Sequence, residues 1–555
     1  MRTSVVGTVT LVFALAAGVA ACGSSNGSNK SSAQGTHQGG TATVLVGTAP
    51  DYLDPQEGYT TQAAEPDWIT YTPLLTYRHA SGAAGTQLIP GLAEGLPTVS
   101  ADGKTYTLTL RKGLVFSNGA PVKASDFAYT IERAIKLNWG GKSFFTNYIA
   151  GASAFDSGKS KSISGITTDD ATGKITIRLT SPYGAFANVL AFPSAGLVPS
   201  GTAMKNLSND PPPGVGPYKI VDVSPNRAFT LVKNTRFAGL HLPGIPAGHL
   251  DTIKVKITSN TQSEAEQVLQ NQADVFDAGD TLPPSLLPQI QSKASSRFSR
   301  ETIPSTFYFF LNTRIAPFNN PLAREAVNYA LDRRALARLA SGFLAPGCFF
   351  LPSGIAGHPT GPCPWGDPNA APNVAKAKQL VKQAGLEGAP VTVWGETRSP
   401  RKAYVEYYAS VLNEIGFKAT PKIISDSVYF PTIGNAQTKA QTGFADWLQD
   451  FPNPSDFYLL LDANSIQPTN NQNFGNVDDP HIQSELAKLD AVPATNLDTV
   501  AGRWEALDRY VASKAYMAAY GSEELPKFFS DRIDFKTAVF HPLYLNDWTS
   551  LQLVK

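Results

Sequence analysis

Val5 to Ala21 is an apolar run behind a single early cation, Arg2, and it dictates where the rest of the chain folds. The run is short beside the ~20 residues that a bilayer-spanning helix needs, and it closes on small residues as a cleavable export signal does. Residues 23–40, GSSNGSNKSSAQGTHQGG, carry too little apolar surface to offset the entropy of ordering them, which predicts a slack tether. No later stretch reaches the ~18 consecutive apolar residues of a second span. The expected product is a folded body outside the cytoplasm, held near a membrane without being embedded in it.

The run ends in Val19-Ala20-Ala21-Cys22, which resembles the lipobox of bacterial lipoproteins. That resemblance implies that the Cys22 thiol is acylated and becomes the new amino terminus. The competing reading is an ordinary signal peptide with an incidental cysteine, although the chain has just three cysteines in 555 residues. The other two, Cys348 and Cys363, are fifteen residues apart in the Pro/Gly-rich stretch APGCFFLPSGIAGHPTGPCPWGDP. In an exported chain that spacing favours a disulfide, worth roughly 3 kcal/mol on the chain-entropy model. Two buried free thiols are the alternative. A metal site is disfavoured because His358 is the one other soft ligand nearby.

Charge excludes a further class. Of the 46 Lys and Arg residues, Arg2 and Lys30 lie in the acid-free first forty, and the remainder face 45 Asp and Glu. Nothing in that balance suggests a nucleic-acid partner, which would need a basic face to displace counterions from phosphates. At this length two or three domains are expected.

Local patterning divides the chain in two. Thr41–Val46 reads as a strand, followed by DYLDP at 51–55 and a helix ending near Leu74-Leu75. Tyr106, Leu108 and Leu110 alternate along one strand face, and Ser125 or Asp126 can cap a helix carrying Phe127, Ile131 and Ile135. Past the break NDPPPGVGP at 209–217 come the strands YKIVDV, FTLVKN and TIKVKI, then a helix over 262–277. FYFFLNT from 307 is apolar on both faces, as a covered central strand requires, and 323–340 is amphipathic. Strand 391–394, helix 402–415 and strand 417–424 form a β-α-β unit, so the second half reads as α/β.

Catalytic signatures are missing. There is no G-x-S-x-G or H-E-x-x-H, and GGKS at 140–143 has Lys136 where a phosphate-cradling loop needs glycine. The seven histidines sit in loop-like contexts and read as surface residues. No cofactor is implied.

The stretch LAEGLPTVSADGKTYTLTLRKGLVFSNGAPVKASDFAYTIERA at 92–134 resembles the signature region of family 5 extracellular solute-binding proteins. Further marks follow in the family's order: LDP at 53–55, GVGPYKI at 214–220, KNTRF at 233–237, FLNTRIAPFNNPLAREAVNYALDR at 310–333, W-x-x-D from Trp447 to Asp450, and DWTSL at 547–551. The resemblance implies an α/β, two-lobed fold around a ligand cleft. Its first lobe would comprise 41–76, 198–304 and 525–555, with an extra domain at 77–197 and a second lobe at 305–524. It implies a non-catalytic monomer, lipid-anchored on the outer face of the cytoplasmic membrane or periplasmic, that delivers peptides to the permease subunits of an ABC importer. Other members bind nickel complexes, oligosaccharides or opines, and a peptide-sensing receptor would use the same fold. An exported hydrolase is the reading from a different class, and it explains neither the tether nor the motifs.

On this resemblance Asp450 holds the α-ammonium of a bound peptide, and Tyr52, Trp447 and Phe451 are candidate walls of the site, with core packing the alternative for these aromatics. A carboxylate buried by lobe closure is costly unless a cation meets it. Asp446 and Asp456 read as solvated acids beside it. Residues 443–446, Gly-Phe-Ala-Asp, lack the arginine that longer-peptide binders place before the tryptophan, so the partner of the ligand carboxylate is unassigned.

Overall fold

A computed structural model describes residues 38–277 and 281–554. Cys22, the apolar leader and the tether as far as residue 37 lie outside the described residues. Among the described residues twelve strands make the main sheet, numbered in chain order: β1 (Thr41–Val46), β2 (Tyr218–Ser224), β3 (Ala228–Lys233), β4 (Thr252–Ile257), β5 (Val275–Asp277), β6 (Phe298–Thr302), β7 (Ser305–Leu311), β8 (Leu344–Pro346), β9 (Pro390–Glu396), β10 (Lys418–Ile424), β11 (Thr442–Leu448) and β12 (Met517–Phe529). Around them lie α1 (Thr61–Trp68), α2 (Ala124–Lys136), α3 (Thr261–Leu269), α4 (Pro321–Ala330), α5 (Arg333–Leu339), α6 (Arg401–Glu414) and α7 (Asp426–Ile433).

The strand order is β10-β9-β11-β7-β12-β5-β1-β4-β3-β2, with β6 and β8 also paired to β12. This order separates two lobes, one on β1–β5 and the other on β7 and β9–β11. β12 belongs to both: Phe529 pairs with Val275 of β5 at one end, and Met517 pairs with Phe310 of β7 at the other. Between those ends it accompanies β6 from Glu524 to Phe528. The chain thus crosses between lobes along β12 and at the β6–β7 junction. Gly521 on β12 lets β8 approach, since a Cβ there would sit 2.2 Å from the Ala345 carbonyl oxygen.

Burial explains the second lobe. All seven residues of β7 are buried between antiparallel β11 and β12, so apolar side chains on both faces are covered. The β9-α6-β10 unit has the expected parallel register, from Pro390 opposite Lys418 to Glu396 opposite Ile424, and α6 buries Val405, Tyr408 and Leu412. Beside the first lobe, a four-stranded antiparallel sheet (Thr98–Val99, Thr105–Thr109, Lys174–Arg178, Ile166–Asp169) buries Tyr106, Leu108, Ile175 and Ile177, with α2 among its neighbours. The Asp126 carboxylate reaches back to accept from the Lys123 amide at 2.8 Å, which fastens the start of α2.

Three elements depart from the sequence reading. The first helix ends at Trp68, and Leu75–Tyr77 is a strand; Pro73 cannot continue a helix, and it pushes the residue before it toward extended conformations. The helix expected over 262–277 stops at Leu269, where Asn271 turns left-handed (φ 61°) and releases Val275–Asp277 to pair in parallel with β1. The amphipathic stretch 323–340 is two helices, because the Asp332 side chain accepts from the Arg334 and Ala335 amides and starts a new one.

Two histidines correct the surface reading. His541 is fully buried, and His79 is paired with buried Asp547 at 2.7 Å and stacked on Trp68 with ring centroids 4.0 Å apart. His541 and Tyr544 pack on Trp68 of α1 beside His79, and Asp547 holds His79 there, long-range contacts that loop-like flanking residues do not reveal. Cys348 and Cys363 are joined by a disulfide, with Cα atoms 6.1 Å apart.

Candidate functional site

A cavity of about 200 Å³ lies between the lobes. Residues 48–62 of the first lobe form one wall, and the Asp51 carboxylate shapes it. It accepts from the amides of Tyr52, Tyr59 and Thr60 and from the Thr60 hydroxyl, which closes the 51–60 loop and presents Tyr59 to the cavity. The neighbouring Asp54 of the LDP motif points the other way. Fully buried, it meets Arg133 of α2 in a two-pronged pair, Nη1 to Oδ1 at 2.5 Å and Nη2 to Oδ2 at 2.6 Å.

The opposite wall is the end of β11 and the turn after it. Asp456, fully buried, is the hub: its Oδ1 accepts from the Trp447 indole at 3.2 Å and its Oδ2 from the Asp450 amide at 2.7 Å. The turn is wound on this carboxylate, and the Asp450 side chain is left facing the cavity. Asp450 Oδ2 accepts from the Tyr59 hydroxyl at 2.7 Å, a bond that joins the two lobes. Among the described residues Asp450 Oδ1 has no hydrogen-bond partner. No cation faces this pair among the groups that shift it. Burial therefore pushes both carboxyls up, Asp450 to about 7 against the pull of the Tyr59 hydrogen bond; the Asp450 charge raises Asp456 further. Tyr59 itself is held neutral by burial and the adjoining Asp450, so it is a donor.

The floor comes from the second lobe. Arg401, the first residue of α6, lies over the Phe444 ring and donates to Glu396 Oε1 at 2.7 Å and Asp446 Oδ2 at 2.6 Å. Beside them Glu523 of β12, 3% exposed, accepts at Oε1 from the Tyr404 hydroxyl at 2.9 Å. Burial pushes Glu523 up to about 7, opposed by Arg401. At the rim the Thr48 hydroxyl donates to Asp426 of α7, a second bond across the lobes. The sum of this lining is acidic: Asp51, Glu57, Glu396, Asp426, Asp446, Asp450 and Glu523 against Arg398 and Arg401 among the described residues.

Of the residues singled out in the sequence, Asp450, Trp447 and Tyr52 come together on the cavity. Tyr52 is at the rim, 37% exposed, and Trp447 is buried edge-on to Tyr59 with centroids 6.0 Å apart. Phe451 is fully buried behind the wall, edge-on to Phe144 and Phe192. Asp446 and Asp456 are not solvated acids: one is paired with Arg401 and the other is the hub of the turn. Tyr59, Arg401 and Glu523 escaped the sequence reading. Tyr59 lies 391 residues from Asp450, and nothing local marks a tyrosine in GYTT as a partner of a distant carboxylate.

Comparison with known proteins completes the picture. The family model described as bacterial extracellular solute-binding proteins, family 5 Middle, matches residues 87–468. The glutathione-binding protein GsiB of Salmonella choleraesuis (strain SC-B67) is 31% identical over 337 residues, 59% of this chain and 59% of that protein, so the match spans less than two thirds of that relative. Among solved structures, the Escherichia coli murein tripeptide binding protein MppA superposes with a TM-score of 0.80 at 19% identity, over 94% of this chain and 99% of that one. A structure of MppA described as its unliganded open form gives 0.63 at 18% identity, over 94% of this chain and 98% of that one.

Proposed function

Since this chain belongs to the bacterial extracellular solute-binding proteins of family 5, we propose that it captures short peptides between its lobes and delivers them to the permease of an ABC importer. The observation that carries this reading is Asp450: a half-buried carboxylate at the cavity wall, tied across the lobes to Tyr59 through one oxygen, whose other oxygen meets no donor and no cation among the described residues. A peptide α-ammonium supplies both the missing charge and the missing donor. Because Tyr59 and Asp450 stand on different lobes, the ammonium site is complete only when the lobes are together. Ligand binding then favours the closed form by the contacts available there alone. The process is capture, without turnover.

In this reading the first lobe is 41–76, 198–304 and 525–555, the extra domain 77–197 and the second lobe 305–524. The crossings at β12 and at the β6–β7 junction absorb the rotation. Cys22 is the lipid attachment point that keeps the body at the outer face of the cytoplasmic membrane. Replacing Cys22 with serine is expected to release the protein or leave uncleaved precursor, and unchanged fractionation would contradict the anchor. Small-angle scattering tests the capture reading itself. Adding a pool of short peptides is expected to lower the radius of gyration of ligand-free protein, and an unchanged profile with bound ligand verified by mass spectrometry would overturn the closure.

A further inference from the structure

We propose that the ligand carries a second cationic group, a guanidinium or ammonium beyond the α-ammonium, seated against Glu523, Glu396 and Asp446 on the cavity floor. This rests on the reading of the cavity as a peptide site and narrows its substrate class. The α-ammonium answers one carboxylate, Asp450, and leaves a separate acidic group a few residues away.

The floor is a built site. Glu523 is 3% exposed and lines the cavity; Tyr404 takes its Oε1, and among the described residues its Oε2 has no hydrogen-bond partner. Arg401 answers Glu396 and Asp446 with one guanidinium, one nitrogen each, and makes no hydrogen bond to Glu523. Arg398 also lines the cavity and acts on both glutamates, so among the described residues two cations face three carboxylates there. Burying an unpaired carboxylate is costly, and a fold keeps one where a ligand supplies the counter-charge.

The spacing suits a short chain. Asp446 and Asp450 are separated by four residues along and just past β11, at most ~13 Å apart at strand rise. A ligand of two or three residues covers that distance at ~3.5 Å per residue plus a side chain. Phe307, which lies opposite Asp446 in the β7–β11 register and lines the cavity beside it, offers a ring to the alkyl part of a lysine or arginine. The same excess of acid opposes an anionic ligand. Glutathione, which the GsiB relatives are named for binding, has two carboxylates and one ammonium, so this cleft reads as tuned to the opposite charge.

The test is calorimetry on the whole exported body with Ala-Arg-Ala, Ala-Lys-Ala, Ala-Gln-Ala and Ala-Glu-Ala, all with free amino termini, and with agmatine as a non-peptide dication. The basic tripeptides are expected to bind at least tenfold more tightly than Ala-Gln-Ala, with Ala-Glu-Ala weaker still. Glu523→Gln, and independently Asp446→Asn, are expected to shrink the arginine-to-glutamine affinity ratio tenfold or more, with thermal melts reporting that each variant folds. Equal affinity for the basic, neutral and acidic tripeptides would overturn the proposal while leaving peptide capture intact. Binding of agmatine with no binding of any tripeptide would overturn peptide capture and support the cationic floor. Failure of every probe overturns both.

Discussion

Asp54 and Asp450 are both aspartates of short motifs, one fully buried and the other half-buried at the cavity wall, and they end in opposite electrical states. Asp54 is met on both oxygens by Arg133, and the Leu207 amide adds a further donor at 2.9 Å. Asp450 has one neutral hydroxyl from the opposing lobe and a second carboxylate, Asp456, behind it. Where the fold balances a buried charge within itself, the residue holds structure together; where it leaves the charge open toward a cavity, it leaves room for a partner. The LDP motif therefore fastens the 51–60 loop to α2, and the W-x-x-D motif leaves a carboxylate facing the cavity.

The contrast breaks most visibly at Arg133. Removing one member of a fully buried ion pair strands the other, which typically costs ~3–5 kcal/mol. Arg133→Ala is therefore expected to lower unfolding stability in urea by that amount. A loss below ~1 kcal/mol would show that Asp54 is not held by this pair. Asp450→Asn should behave oppositely in the ligand-free protein, keeping or raising stability, because it removes an unbalanced charge.

Proton linkage sharpens the comparison. Burial pushes the Asp450 carboxyl up to about 7, and a bound ammonium pulls it down, so the cation binds the ionised form. Affinity is thus expected to peak between about pH 7 and 8, where carboxylate and ammonium coexist, and to fall toward tenfold per pH unit below about 7. An upper limb follows as the ligand's own α-amino group, with a usual value of about 8, loses its proton. Titration calorimetry from pH 5.5 to 9 reads both limbs, and a flat profile would mean that Asp450 does not exchange a proton for the ligand.

Tyr59→Phe gives the smallest effect. It deletes the hydroxyl that joins Asp450 to the opposite lobe, a hydrogen bond worth ~0.5–1.5 kcal/mol net. A severalfold loss of affinity through faster dissociation is expected in stopped-flow measurements, and an unchanged off-rate would remove Tyr59 from the latch.

These outcomes also separate what the sequence discloses from what only the fold does. The β9-α6-β10 unit is legible because its periodicity lies within 35 consecutive residues, Pro390 to Ile424. Asp450 stands out in the sequence because its motif is four residues long, and the structure places it on the cavity. The His79–Asp547 pair and the Tyr59–Asp450 bond are not, since each joins segments hundreds of residues apart with no local pattern to mark them. The same is true of Glu523, whose role depends on β12 threading through both lobes. Helix ends failed where one residue overrode the apolar spacing around it: Pro73, Asn271 and Asp332.

Peptide capture requires that Asp450 meet an amino terminus, and N-acetylation removes that charge. Titration of wild type with a free and an N-acetylated form of one short peptide is expected to show a loss of ~30-fold or more on acetylation, as truncating one side of a buried charge pair costs roughly 2–5 kcal/mol. In Asp450→Ala the two forms should bind alike. Equal affinity of the wild type for both peptides would contradict the account and move the ligand away from peptides.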